Sequence, residues 1–280
     1  MKLITLNTHS IVEKDYDKKV RQFVEMVLTE NPDVFSLQEV NQSLAAPVAE
    51  APEKTGYVIC ANNARKVRSD NHALLVASLL KEAGVTYEWT WIPLKIGYDI
   101  YEEGLAIFSK APIEQTEQFY ISKIRDFKNW KTRKVLGVKV KGDWYYSVHM
   151  GWWDDVEDPF VNQWDLVNEE LGKKDKTVKC FVMGDFNCPS AIRGEGYDYV
   201  KNSGWFDTYI LAQEKDEGIS VGKVIDGWRE RIDEKEAGMR IDYIWCNQEV
   251  NVQTSKIVFN GKNYPVVSDH YGVQIVINEY

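Results

Sequence analysis

Oxygen-donor side chains recur in this chain at the ends of short apolar runs. Asn7 closes KLITLN, Glu39 stands in DVFSLQEV, and Asp185 and Asn187 follow the apolar FVMG in GDFN. Asp242 lies in RIDYI, and Asp269 with His270 sits in SDH just ahead of YGVQIVI. Carboxylates and amides are the ligands that hard cations such as Mg²⁺ prefer. Phosphoester hydrolysis uses such a cation to neutralise charge as it develops. One acidic residue at a strand end usually does no more than cap a turn; the weight lies in the whole set occurring in one chain. Histidines number only four, at 9, 72, 149 and 270. His149 closes an apolar run and His270 comes just before one, and both are the candidates to move or share a proton. A carboxylate beside such a ring, as Asp242 would be beside His270, fixes its tautomer and raises its basicity. His72 reads as structural, and His9 divides evenly between support of the site and packing.

These groups need a scaffold that brings distant strand ends together. Apolar, β-branched runs at 2–7, 33–40, 104–109, 134–140, 144–150, 179–187, 240–246 and 268–277 predict strands covered on at least one face. Amphipathic stretches predict helices over 17–30, with Val20, Phe23, Val24 and Val27 on one face, over 70–84 ending in Gly84, and over 159–172 between Pro159 and Gly172. Strands outnumber helices, and turns as short as KGDW (141–144) join them. The expectation is an α/β (α+β) fold: a four-layer sandwich of two packed mixed sheets flanked by helices. No linker or shift of composition divides the chain, so residues 1–280 are expected to form a single domain.

Composition narrows the function. Of 280 residues, 44% are hydrophobic and 28% charged, enough for a full core. No apolar run approaches the roughly 20 residues of a membrane span. The opening MKLITLNTHS is broken by Asn7, His9 and Glu13, unlike a secretory signal, so a cytoplasmic location is expected. Cys60, Cys180, Cys188 and Cys246 show no zinc spacing and are expected to be reduced and structural. A net charge of −9 without a basic run weighs against a grip on a polynucleotide backbone. KVR (66–68) and RDFKNWKTRK (125–134) are mixed with acids and read as solvated surface.

Taken in order, LNTH (6–9), QEV (38–40), EEGLAIFS (102–109), VHM (148–150), GDFN (184–187), RIDYI (240–244) and SDH (268–270) resemble the endonuclease/exonuclease/phosphatase superfamily, with its deoxyribonuclease-like sandwich, over essentially the whole length. The resemblance implies a Mg²⁺-dependent phosphoester hydrolase, with Mn²⁺ as a substitute, in which water attacks phosphorus in line. It implies that Asn7, Glu39 and Asp269 form the metal shell, with Glu39 the principal ligand. Asp185 and Asn187 would align or deprotonate the attacking water, or hold a second metal. His270, oriented by Asp242, would contact the scissile phosphate, while His149, partnered by Glu103, would stabilise the pentavalent oxygen from the other side. The resemblance leaves the general base open. Arg133 in KTRKVLGV stands where the family often has an arginine near the phosphate, and a guanidinium fork suits phosphate oxygens.

The superfamily hosts several activities, so fold does not fix substrate. VHMGWWDD departs from the Tyr and Pro-Asn segments of abasic-site nucleases, and the export signal of sphingomyelinase-like members is missing. LNTHS, KIGYDIYEEGLAI (95–107) and VHMGWW resemble instead the sugar-phosphate phosphatases of Gram-positive bacteria, of the maltose 6′-phosphate phosphatase type. That likeness implies that Tyr98, Asp99, Trp152 and Trp153 contact the sugar. The leading expectation is therefore a phosphomonoesterase acting on a small phosphorylated sugar, with neither membrane nor nucleic acid as partner. A nuclease of the same fold comes second, then a phospholipid or sphingomyelin phosphodiesterase. A non-catalytic binding protein is disfavoured by the intact set of polar residues. Oligomeric state is left open.

Overall fold

The computed structural model describes residues 1–223 and 238–278. Along the chain come β1 (Lys2–Asn7), α1 (Tyr16–Glu30), β2 (Val34–Ser43), α2 (His72–Glu82), β3 (Glu88–Gly97), β4 (Tyr101–Ser109), β5 (Gln115–Tyr120), β6 (Lys134–Val140) and β7 (Asp143–His149). The second half adds α3 (Phe160–Gly172), β8 (Cys180–Asp185), α4 (Gly196–Asn202), β9 (Phe206–Asp207), α5 (Thr208–Leu211), β10 (Glu214–Lys215), β11 (Asp242–Cys246), β12 (Val252–Val258) and β13 (Gly272–Ile277). Seven strands form one sheet in the order β10-β12-β13-β1-β2-β4-β3, and six form another in the order β5-β6-β7-β8-β11-β9. Both are mixed: β1 runs parallel to β2, β7 runs parallel to β8, and antiparallel pairs surround them.

The two sheets pack face to face through Leu3, Ile92, Leu105, Ile107, Leu136, Val138, Phe181, Met183, Ile244 and Ile275. On the outer face of the first sheet, α1 buries the expected Val20, Phe23, Val24 and Val27, together with Met26, against Ile4, Phe35 and Phe108. On the outer face of the second, α3 buries Phe160, Trp164 and Val167 against Tyr146, Val182 and Trp245. The four-layer sandwich expected from the strand and helix pattern is the observed fold. Central strands read as unbroken apolar runs because both of their faces are covered. Asn71 starts α2, its side-chain oxygen accepting from the backbone N–H groups of Ala73 and Leu74. One patch between the sheets is polar. Gln38 donates to Ser147 Oγ at 2.9 Å, and Ser36 donates to Thr5 Oγ1 at 2.8 Å, just beneath the ends of β1 and β2.

Strands β3, β5 and β12 were not among the predicted runs. β3 carries Pro93, which argues against a central strand, and β3 is in fact the edge of its sheet. β5 is the edge of the other sheet, and its QTEQFY lacks an apolar face. All four cysteines are buried and none is in a disulfide. Among the described residues no helix is long and apolar enough to cross a membrane.

Candidate active site

Strand register alone lines up three of the candidate residues. His149 ends β7 opposite Asp185 at the end of β8, and Asp185 stands opposite Asp242 at the start of β11. Gly184 makes this row possible. Its φ is +145°, and a Cβ there would lie 2.0 Å from the carbonyl oxygen of Val148, so any side chain would push β7 and β8 apart.

The first sheet faces this row with residues re-aimed by two β-bulges. In β2, Leu37 pairs with Ala106 and Val40 with Gly104, so one extra residue is accommodated. Glu39 sits in that bulge with φ +51°, a left-handed conformation strained for a non-glycine residue. In β3 the register shifts between Pro93 and Lys95, which brings Lys95 opposite Glu103 of β4. Both bulges fall on Gly104, the partner of Val40 and of Pro93. Asn7, ending β1, joins the sheets: its Nδ2 donates to Glu39 Oε1 at 2.9 Å and to Asp185 Oδ2 at 3.2 Å. In this arrangement Asn7 is a donor between two carboxylates, with its carbonyl oxygen taken by the His9 N–H at 3.3 Å.

These groups surround a cleft of about 270 Å³. Glu39, Glu103, Arg133, His149, Asp185, Asn187, Asp269 and His270 line it, with His9, Lys95, Tyr98, Trp130 and Trp152. Asn7 and Asp242 stand directly behind the lining and hold it. Asp185 is fixed from both sides, since its Oδ1 accepts the Asn187 N–H at 2.8 Å. Asn187, at φ +48°, turns its Nδ2 to the Met150 carbonyl at 2.9 Å.

Burial sets the electrostatics. His270 Nδ1 lies 2.9 Å from Asp242 Oδ2, and its Nε2 lies 3.7 Å from Asp185 Oδ2. Burial works against its charge, but Asp242 and Asp185 prevail and raise its pKa to about 10. Asp185 is pushed up to about 7, chiefly by burial. His149 goes the other way: burial and the nearby charges of Arg133, Lys95 and His270 hold it well below the usual imidazole range. His9 is lifted to about 9: burial opposes its charge, and the carboxylates of Glu13, Glu39 and Asp269 overcome that. The Glu39 carboxyl is pushed up by burial and by the charges of Glu103 and Asp269. A buried carboxylate crowded by two others calls for a cation, and all-oxygen chemistry suits Mg²⁺ or Mn²⁺. Glu39 and Asp269, which line the same cleft, offer oxygen donors of the kind that ion takes.

Several expected partnerships differ in detail. Glu103 Oε1 is 3.8 Å from His149 Nδ1, beyond hydrogen-bond reach, because it pairs instead with Lys95 Nζ at 3.1 Å. Arg133 is no surface charge: it is 2% exposed, and its Nη1 donates to the Trp130 carbonyl at 2.7 Å. Of the two adjacent tryptophans only Trp152 reaches the cleft; Trp153 packs on Phe160 and Tyr199. Tyr98 lies at the cleft mouth 3.3 Å from His9 Nε2, whereas Asp99 is exposed on the β3–β4 turn and outside the lining. His72 is buried against Tyr16, away from the cleft.

Lys95 and Trp130 were missed. Lys95 is a lone cation in the apolar EWTWIPLKIG, a signal lost with the strand itself. Trp130 lies within a segment read as solvated surface, but its ring sits edge-on to Trp152 with centroids 5.5 Å apart.

A family model described as Endonuclease/Exonuclease/phosphatase family matches residues 4–270. No curated protein sequence matches the chain. Among solved structures, an endonuclease/exonuclease/phosphatase family protein from Leptotrichia buccalis C-1013-b is 27% identical, with a TM-score of 0.85 and coverage of 100% of both chains. A mannosyl-6-phosphatase from Bacteroides thetaiotaomicron VPI-5482 shares the fold at 16% identity and a TM-score of 0.65, again over 100% of both chains. A 3′ phosphatase from Neisseria, solved with a product DNA hairpin, shares it at 17% identity and a TM-score of 0.62, also over 100% of both chains.

Proposed function

The chain belongs to the endonuclease/exonuclease/phosphatase family, and from that premise we propose that it is a divalent-metal-dependent phosphomonoesterase acting on a phosphorylated sugar. One observation carries this reading. His149, Asp185, His270, Glu39 and Asp269 meet, with Asp242 behind them, in a single small cleft whose lip is aromatic, formed by Tyr98, Trp130 and Trp152. Aromatic faces suit the apolar C–H surface of a sugar ring, and a cleft of about 270 Å³ suits one small ligand better than a duplex. The fold is shared with a mannosyl-6-phosphatase and a 3′ phosphatase, so phosphate-monoester removal lies within its repertoire, by analogy only.

Each residue takes a part its environment suits. Glu39 and Asp269 would hold Mg²⁺ or Mn²⁺, which when bound supplies Lewis-acid neutralisation of the phosphoryl oxygens. Asp185, with its pKa lifted to about 7, is placed to take a proton from attacking water at neutral pH. His270, kept as imidazolium by Asp242, donates to a phosphoryl oxygen and offsets the charge that builds there. His149, neutral, offers an N–H from the opposite wall, and Arg133 adds a fixed positive charge.

Phosphate release from a panel of sugar phosphates tests the reading. Release with Mg²⁺, none with a chelator, and a fall of about 10³-fold or more in His270→Ala are expected. Plasmid nicking without release from any sugar phosphate would assign the nuclease activity instead.

A further inference from the structure

We infer that Lys95 recognises the third terminal oxygen of a phosphomonoester, and so commits this cleft to terminal phosphates over diesters. The inference rests on the phosphomonoesterase reading above and names the residue that enforces it.

Lys95 is costly where it stands. It is 7% exposed on an edge strand whose neighbours are apolar, and taking an ammonium out of water is expensive. A buried ion pair is weak grounds for stability, since an apolar pair of equal volume often does as well. Yet the chain spends a β-bulge to aim this side chain: the register shift between Pro93 and Lys95 sets it opposite Glu103, with Nζ 3.1 Å from Oε1. An ammonium has three donors, and Glu103 is the only carboxylate within ion-pair distance of Nζ among the described residues. Donors therefore remain for the cleft that Lys95 lines.

Counting charge on that wall gives the selectivity. Arg133 lines the same cleft, is 2% exposed, and has no carboxylate within ion-pair distance among the described residues; backbone carbonyls hold its Nη1. Within ion-pair distance of these two buried cations stands one carboxylate, Glu103, on Lys95, so N–H groups of both remain to meet an oxygen of the ligand. A phosphomonoester near pH 7 carries close to two negative charges on three terminal oxygens. A diester carries one, on two oxygens. The extra oxygen and charge are what a second cation can reward, and a charge-assisted hydrogen bond is roughly twice as strong as a neutral one.

The full chain with Mg²⁺ is assayed on p-nitrophenyl phosphate and bis(p-nitrophenyl) phosphate, as wild type, Lys95→Met and Lys95→Arg. The quantity read is the monoester-to-diester ratio of kcat/KM, which does not depend on the fraction of correctly folded enzyme. Wild type should favour the monoester, Lys95→Met should lower the ratio roughly 30-fold, and Lys95→Arg should keep most of it. A ratio unchanged in Lys95→Met, with both activities falling together, overturns the inference and leaves the phosphomonoesterase reading standing. A wild type that prefers the diester overturns that reading, and the inference falls with it.

Discussion

Asp185 and Asp242 stand directly opposite each other on β8 and β11, two buried carboxylates in register on adjacent strands. Like charges so placed repel. The pairing is tolerated because His270 reaches between them, Nδ1 2.9 Å from one and Nε2 3.7 Å from the other. The strand register therefore builds a socket for an imidazolium.

Removing one wall of that socket should shift the pH dependence of catalysis. His270 has its pKa raised to about 10; burial pulls it down, and Asp242 is the largest influence lifting it. A raised histidine keeps its proton, and whatever depends on it, until pH climbs through the folded value. Wild-type kcat/KM should hold on the alkaline side up to pH 9.5, whereas Asp242→Asn should break downward at least about one unit earlier. Superimposable pH–rate profiles would show that the His270 charge has no part in the rate.

The crowding of Glu39 makes a second prediction, about stability. Its carboxyl is pushed up by burial and by Glu103 and Asp269. The ionised form is therefore penalised in the folded state: the contribution of Glu39 to stability is greatest at low pH and declines as pH rises through its folded pKa. At pH 7 without metal, Glu39→Gln should raise Tm by roughly 2 °C or more. The same variant should lose the Tm increase that Mg²⁺ gives the wild type. A metal-free variant that melts lower than wild type, and still responds to Mg²⁺, would remove Glu39 from the cation site.

Much of this was legible in the sequence because the site is built at the ends of buried strands. GDFN, RIDYI and SDH each set a polar residue against an apolar run, and that contrast survives without coordinates. What escaped depended on register and edges. Lys95 lies on an edge strand containing Pro93, and its direction is set by a bulge that no local pattern betrays. Trp130 belongs to a segment whose Lys and Arg residues look like solvent-facing surface, yet Arg133 within it is buried. Trp152 and Trp153 are identical in type and adjacent, and only the backbone path sends one to the cleft and the other to Phe160.

Gly184 and Gly142 form a controlled pair. Both have positive φ, +145° and +85°, but a Cβ on Gly184 would meet the Val148 carbonyl at 2.0 Å, while one on Gly142 meets nothing within 4 Å. Gly142→Ala should cost about 1 kcal/mol, the scale of left-handed strain alone. Gly184→Ala adds a clash inside the β7–β8 pair and should cost about 3 kcal/mol or more, abolishing activity with it. Urea unfolding of both variants checks this. Equal losses would mean that the close approach of the two strands does not constrain the site.

His72 should make the protein acid-sensitive by a route separate from catalysis. It opens α2 and is 4% exposed; its Nδ1 shares a 2.8 Å hydrogen bond with the Tyr16 hydroxyl, and its Nε2 is buried without a partner among the described residues. Burial lowers its pKa to about 3, and the positive end of the helix adds no comfort to a cation there. In the unfolded chain the ring takes a proton near pH 6.5. Below that pH the unfolded state binds the proton and the folded state does not, so stability present at neutral pH drains away as pH falls towards 3. At pH 5.5 the loss from this one residue should be about 1.4 kcal/mol. His149 contributes in the same direction and His270 in the opposite one, so absolute pH curves mix their effects. The Tyr16→Phe/His72→Leu double variant isolates the term by removing both hydrogen-bond partners together. Urea unfolding at pH 7.0 and 5.5 should show wild type losing about 1.2 kcal/mol more than this variant between the two values. Parallel losses would mean that His72 is protonated in the folded protein, contrary to its burial.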